Sequence, residues 1–117
     1  MATLTPTLTL KSTDVTSDPL SFSVVDTLTI NKAVISPSKA ITSTGDLTLL
    51  AAATYTKSYV YLKNTDGSIV INVDFGSQLA MTLAAGEFAF FPWDSSANIV
   101  VASASGTPYV EYAVFEA

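Results

Sequence analysis

Hydrophobic and polar residues alternate at a period of two over most of this chain. In Thr3–Leu10 leucines alternate with threonines, and in Tyr59–Asn64 tyrosines alternate with Val60 and Leu62. Successive side chains of a β-strand point to opposite faces, so this pattern predicts strands. The same pattern predicts further strands in the following segments: Leu20–Ile30, Ala33–Ile35, Ile41–Gly45, Ile69–Phe75, Leu79–Leu83, Glu87–Phe91, Asn98–Ala102 and Tyr109–Phe115.

Residues typical of turns separate these segments. Thr65-Asp66-Gly67 predicts a hairpin turn in which Gly67 supplies a positive φ. A second turn is predicted at Ser36-Pro37-Ser38, and Pro92 is expected to end a strand because proline cannot donate to a ladder. Leu47–Ala53 is the one segment that also fits a short helix, since it ends in three alanines.

Eight to ten short strands at intervals of about 8–12 residues are typical of a sandwich or barrel. We therefore expect an all-β fold, an antiparallel β-sandwich with little or no helix. A chain of 117 residues has room for one core, so residues 1–117 are predicted to form a single domain. Pro6 lies in line with the leucines around it, which favours an edge strand or an N-terminal arm within residues 1–19.

Composition argues against nucleic acid and membranes as partners. Ten acidic residues against five lysines, with no arginine, give a net charge of −5. Binding a phosphate backbone requires clustered Lys or Arg, so no nucleic-acid binding is expected. The sequence has neither an apolar stretch long enough to span a bilayer nor the basic and apolar regions of a secretory signal at its start.

Few residues could support catalysis or bind a metal. Without His or Cys, neither a Ser-His-Asp nor a Cys-His site can form, and thiolate metal sites are excluded. Aligning Gly67 with the glycine of a calcium loop places Leu62 and Val73 where carboxylates are needed, so no metal or other cofactor is expected. Asp74 and Glu87 could act as a glycosidase pair if their strands were adjacent, but such carboxylates are usually solvent-facing. The sequence therefore predicts a protein that is not an enzyme.

Aromatic residues are the more informative feature. In an extended strand Phe88 and Phe90 point one way, and Phe91 and Trp93 point the other way. One pair should enter the core, and the other, if uncovered, would form an apolar patch of the kind that marks subunit contacts. Core packing alone, core packing with an oligomer interface, and ligand stacking all remain open. The candidate interface residues are Leu4, Pro6, Leu8, Tyr59, Tyr61, Phe91 and Trp93.

Four segments carry a family resemblance: MATLTPTLTL, YLKNTDGSIVINVDFG, LAAGEFAFFPW and VEYAVFE. In these segments the chain resembles small virion structural proteins of tailed bacteriophages, most closely those of marine and cyanobacterial phages. The resemblance implies a β-sandwich or jelly roll that sits in many copies on a capsid or tail. Head decoration (cement) proteins of this size are often trimers that bridge major capsid subunits.

On this basis we expect a capsid decoration protein on the outer surface of the virion. Its partners would be the major capsid protein and copies of itself, with residues 3–10 able to add a strand to a neighbouring subunit. The alternatives are a receptor- or carbohydrate-binding module and a neck or tail component. The resemblance implies no catalytic residues.

Overall fold

The structure is a computed structural model that describes residues 2–40 and 45–117, so most of the strand predicted at Ile41–Gly45 lies outside the described residues. The described residues form twelve β-strands and no helix, and none of them could cross the membrane as a helix. The strands are β1 Ala2–Leu4, β2 Thr7–Ser12, β3 Leu20–Val25, β4 Leu28–Ile30, β5 Lys32–Ala40, β6 Leu47–Leu50, β7 Ser58–Asn64, β8 Ile71–Phe75, β9 Gln78–Leu83, β10 Phe88–Trp93, β11 Ile99–Ser103 and β12 Tyr109–Glu116. The chain divides into two compact units, with the boundary between Asn31 and Lys32.

The first unit is a two-stranded antiparallel ribbon. Strand β1 pairs with β4 and β2 pairs with β3, and the register is the same in both pairs, as in Leu4 opposite Leu28 and Leu10 opposite Phe22. Pro6 interrupts the ladder between β1 and β2, where its carbonyl accepts a hydrogen bond from Asp26 N at 3.2 Å. The predicted arm at residues 1–19 is therefore one strand of a hairpin that extends to Asn31.

The second unit is a β-sandwich of two four-stranded antiparallel sheets. The first sheet has the strand order β10-β7-β12-β5, and the second has the order β6-β11-β8-β9. If β5 is counted as strand 1 and β12 as strand 8, these orders read 6-3-8-1 and 2-7-4-5. This is the strand order of a jelly roll, an architecture found in viral capsid and lectin domains. The all-β sandwich fold is confirmed.

The core lies between the two sheets. Alternate residues of the central strands are buried, for example Val60 and Leu62 on β7 and Val73 on β8. Each fully buried aliphatic side chain of this kind stabilises the fold by about 1.5–3 kcal/mol. The buried core cluster consists of Leu50, Val60, Leu62, Ile71, Val73, Leu83, Trp93, Ile99, Val101, Val110 and Val114.

One buried polar side chain, Asn64, connects three segments at one end of the sandwich. Its amide nitrogen donates to Ile69 O at 2.7 Å and to Leu83 O at 2.9 Å, and its Oδ1 accepts from Asp66 N at 2.9 Å. The backbone N–H groups of Ser68 and Ile69 donate to the Asp66 carboxylate and lower the pKa of that group. Asn64 thus fixes the loop that leaves β7.

The structure corrects three local predictions. Thr65-Asp66-Gly67 is not a hairpin turn, because β7 and β8 belong to different sheets, and Gly67 has no positive φ. Ser36-Pro37-Ser38 lies within β5, where two residues face one on β12 in a bulge that accommodates the proline. Pro92 lies inside β10, which tolerates it because β10 is an edge strand.

Two further local features also differ from the expectations. Leu47–Ala53 begins as strand β6 and continues into a turn, so it contains no helix. The strand count exceeds ten because the ribbon is divided into four short strands at Pro6 and Asp26. The hairpin turn in this part of the fold is Gly76-Ser77, which joins β8 to β9 with Gly76 at a φ of 65°.

We predict that Asn64→Ala lowers the free energy of unfolding by about 2–4 kcal/mol, because it leaves the carbonyls of Ile69 and Leu83 without their donor. Urea unfolding monitored by tryptophan fluorescence measures this loss. Asn72→Ala, at an exposed position on β8, is the matched control and should change stability by less than about 0.5 kcal/mol. Equal effects of the two substitutions would contradict a structural role for Asn64.

Candidate interaction surface

The outward side of the first sheet is lined by aromatic rings. Because Val60 and Leu62 of β7 point into the core, Tyr59 and Tyr61 point outward. Residues directly opposite each other in a ladder share a face, so the pairing registers of β5, β10 and β12 with their neighbours define the rest of this side. We call the following outward residues the aromatic face: Ile35, Tyr59, Tyr61, Phe88, Phe90 and Phe115.

The aromatic face is accessible to solvent. Phe88 has 62% of its surface exposed and Ile35 has 66%, while Phe90 is also exposed. Tyr59 and Phe90 stack on each other with centroids 6.3 Å apart and an interplanar angle of 12°. Stacked rings of this kind form a rigid and nearly flat apolar surface, which loses little side-chain entropy when another surface covers it.

A few polar groups surround these rings. The Tyr61 hydroxyl donates to Glu111 Oε1 at 2.8 Å, and burial together with this hydrogen bond raises the pKa of Tyr61. Lys57 Nζ lies 5.8 Å from the centroid of the Tyr59 ring, and Lys63 is opposite both Phe88 and Glu111. Lys57 also interacts with Asp94, which follows β10 on this side, so Lys57 and Lys63 are balanced by Glu111 and Asp94.

The outward side of the second sheet is different in character. It carries polar side chains, including Asn72 and Asp74 on β8, Thr82 on β9 and Thr48 on β6, together with Val100 and Ala102 on β11, and no aromatic ring among the described residues. Alternation of apolar inward and polar outward residues is typical of a sheet whose outer side faces water. The core lies between the two sheets, so the aromatic residues on the outward side of the first sheet do not contribute to it.

The structure separates the predicted interface residues into three groups. Tyr59 and Tyr61 lie on the aromatic face. Leu4, Pro6 and Leu8 lie in the ribbon, where Leu8 is exposed and the other two are half-buried. Their role in an interface remains a prediction.

Phe91 and Trp93 point toward the core instead of outward. Trp93 is only 5% exposed, and Phe91 is half-buried against the core. The centroids of the Phe91 and Phe75 rings are 5.5 Å apart. The outward aromatic residues of β10 are Phe88 and Phe90, which were absent from the predicted interface. The alternation of tyrosines with Val60 and Leu62 on β7 indicates which side of the sheet faces outward. The pairing of β10 with β7 then places Phe88 and Phe90 on that side.

A cleft of about 370 Å³ lies beside Trp93 and is lined by Lys57, Phe75, Pro92, Asp94 and Ser96 among others. The indole N–H of Trp93 donates to Ala97 O at 3.0 Å. The Ser96 hydroxyl and N–H both donate to Asp94 Oδ1, which lowers the pKa of Asp94. Asp94 and Ser96 therefore bond to each other, and Trp93 bonds to the same loop.

The fold does not pair Asp74 with Glu87. Asp74 is opposite Leu79 at the start of β9, whereas Glu87 follows Leu83 at the end of that strand and accepts a hydrogen bond from Ala84 N at 2.6 Å. The positions of Leu79 and Leu83 are four residues apart along β9, which corresponds to roughly 13 Å. A glycosidase needs its two carboxyl groups within about 5–9.5 Å. In the part of the chain that the structure describes, no three acidic side chains cluster as metal ligands would.

Comparison of the sequence with models of known protein families and with curated proteins finds no match. The fold, the aromatic face and the ribbon are therefore the features from which a function must be inferred.

We predict that Tyr61→Phe changes how stability depends on pH. The pKa of Tyr61 is raised in the folded protein, so the folded state retains the phenolic proton more strongly than the unfolded state. This contribution is complete below the unfolded value near 10 and is lost as pH rises through the folded value. Unfolding free energies measured between about pH 9 and pH 11 should therefore fall less steeply in Tyr61→Phe.

Tyr109→Phe removes a hydroxyl from an exposed tyrosine on the same sheet and serves as the control. A Tyr61→Phe protein with the same alkaline slope as the control would show that the hydrogen bond to Glu111 does not favour the protonated phenol.

Proposed function

We propose that this protein is a non-enzymatic structural component of a bacteriophage virion that decorates the capsid and stabilises major capsid subunits by bridging them. The observation that carries this proposal is the contrast between the two sheets of one sandwich. The outward side of the first sheet is aromatic, whereas that of the second is largely polar and has no aromatic ring among the described residues. Exposed apolar patches of several hundred Å² mark protein contacts in otherwise water-soluble folds.

Two properties support the virion setting. The jelly-roll strand order is frequent in viral shell proteins, although it also occurs in unrelated domains and indicates a setting only by analogy. The chain is acidic and has no arginine, which suits a surface that does not contact packaged nucleic acid. Both properties agree with the resemblance to phage structural proteins.

The alternative of a carbohydrate-binding module has weaker support. That function predicts an exposed tryptophan beside free Asp or Asn side chains, as in a sugar-stacking site. Trp93 is 5% exposed and its N–H is already bonded, and Asp94 is held by Ser96. Tyr59 and Tyr61 lie on the outward side of the first sheet, where Tyr59 stacks on Phe90.

We predict that the purified protein binds shells assembled from the major capsid protein of the same phage and reaches a fixed ratio of copies per shell. Co-sedimentation over a range of protein concentrations measures this ratio. The double variant Phe88→Ser/Phe90→Ser should reduce apparent affinity about tenfold or more, since apolar anchors at the centre of an interface dominate its energy. Decorated shells should also resist heating better than bare shells, because the bound copies stabilise them.

The matched control is Leu79→Ser. Leu79 is 61% exposed on the outward side of the second sheet, so this variant also removes an exposed apolar side chain. It should bind shells as the unsubstituted protein does. Absence of shell binding, or equal loss in the two variants, would contradict the proposal.

A further inference from the structure

The ribbon has an apolar side that its own two strands cannot bury. Leu8 is opposite Val24 and Leu10 is opposite Phe22, so these four side chains share one side of the ribbon. The other side carries Thr and Ser, apart from Lys11 and Val25. We call the following residues the apolar ribbon side: Leu8, Leu10, Leu20, Phe22 and Val24.

Exposure on this side is high for large hydrophobic residues. Phe22 and Val24 are each 61% exposed, and every residue of β2 and β3 is exposed or half-buried. A two-stranded hairpin alone is at best marginally stable in water. A regular register that gathers these large apolar side chains on one side of such a ribbon therefore indicates a surface that becomes covered by a partner.

We infer that the partner is a second copy of this chain, and that the apolar ribbon side of one copy docks on the aromatic face of the next. This inference rests on the proposed assembly role of the aromatic face, but not on the virion setting. Where the ribbon of a neighbouring copy covers that face, loss of shell binding in Phe88→Ser/Phe90→Ser would follow from loss of self-assembly.

Charge favours this pairing over contact between two ribbons. The ribbon carries Asp14, Asp18 and Asp26 against Lys11, a local charge of −2. Two ribbons would therefore repel each other. The side of the sandwich that carries the aromatic face has Lys57 and Lys63 against Glu111 and Asp94, a local charge of zero, so it does not repel the ribbon. Repulsion between like charges at the edge of an apolar contact excludes wrong pairings.

The dimensions of the two surfaces also match. Six paired residues of β2 and β3 extend about 20 Å, and the seven residues of β7 extend about 23 Å. Aromatic side chains each bury about 150–250 Å² when covered, so the half-exposed residues of the aromatic face offer on the order of 500 Å². With the surrounding polar atoms, the contact approaches the ~800 Å² per partner of a standard interface.

The two surfaces differ, so the contact joins copies head to tail. Such contacts close into a ring when the rotation between copies permits and otherwise form a chain. The test uses the full-length purified protein without shells. Light scattering coupled to size-exclusion chromatography should give a mass above that of the monomer.

Two variants each remove one surface. Phe22→Ser/Val24→Thr alters the apolar ribbon side, and Phe88→Ser/Phe90→Ser alters the aromatic face. Each alone should be monomeric at concentrations where the unsubstituted protein assembles, with a dissociation constant raised about tenfold or more. A mixture of the two variants should form a 1:1 complex and nothing larger, because only one intact ribbon can meet one intact face.

The control variants are Ser21→Thr/Ser23→Thr, on the polar side of the ribbon, and Leu79→Ser. Both should assemble like the unsubstituted protein. Circular dichroism and thermal unfolding identify any variant whose sandwich is disturbed.

A second measurement locates the contact directly. The chain has no cysteine, so Val24→Cys can carry a single benzophenone label. Labelled protein is mixed with ¹⁵N-labelled unsubstituted protein, irradiated and digested with trypsin. We expect crosslinks to ¹⁵N peptides of the aromatic face, among them the peptide of residues 58–63 that contains Tyr59 and Tyr61.

Three outcomes would overturn the inference: a strictly monomeric protein at all concentrations, crosslinks confined to peptides of the same copy, or crosslinks to the ribbon of the other copy. Shell binding that persists in a monomeric protein would leave the proposed function standing while this inference fails. Self-assembly without shell binding would contradict the proposed function and leave this inference standing.

Discussion

The structure depends on the burial of facing side chains between the two sheets of the sandwich. Val60 and Leu62 of β7 are fully buried there, as are Val110 and Val114 of β12. Because a strand places alternate residues on opposite sides, this burial determines where every other residue of the first sheet points. A shift of one residue in register would bury Lys63 and expose Leu62, so the packing itself excludes that alternative. The outward position of the aromatic rings is a direct consequence.

The sequence was most informative where alternation and tertiary packing agree. Tyr59–Asn64 and Leu79–Leu83 were predicted as strands and are strands, because their apolar residues recur at a period of two and meet a single core. Sequence alone could not distinguish a hairpin turn from a loop between sheets. Thr65-Asp66-Gly67 has the composition of either, and the deciding factor is the buried side chain of Asn64, which bonds both the nearby Ile69 and Leu83 on another strand.

Prolines show the same limit. Pro37 and Pro92 would interrupt a central strand, yet both lie on edge strands of the first sheet. Whether a strand is central or at an edge is a property of the whole sheet and cannot be read from the residues around the proline.

The candidate surface was only partly predictable for a related reason. Strand geometry predicts that the pairs Phe88/Phe90 and Phe91/Trp93 point in opposite directions, and the structure confirms this. Which pair enters the core depends on the strand that lies beside β10. Both sides of this strand are apolar, so hydrophobicity could not choose between them. The neighbour is β7, whose Val60 and Leu62 define the inner side and thereby assign Phe91 and Trp93 to it.

The apolar surfaces that remain exposed are easier to understand as part of an assembly than as part of an isolated monomer. A net charge of −5 opposes non-specific association, and the two surfaces lie on chemically different elements of the chain. A contact between unlike surfaces does not require the symmetry of a two-fold dimer, so a single pairing can generate a ring of several copies. Each additional contact in a ring or on a lattice is intramolecular in effect, and weak individual contacts then suffice for a stable shell layer. For a small acidic sandwich, such repetition would supply the binding strength that a single interface of this size lacks.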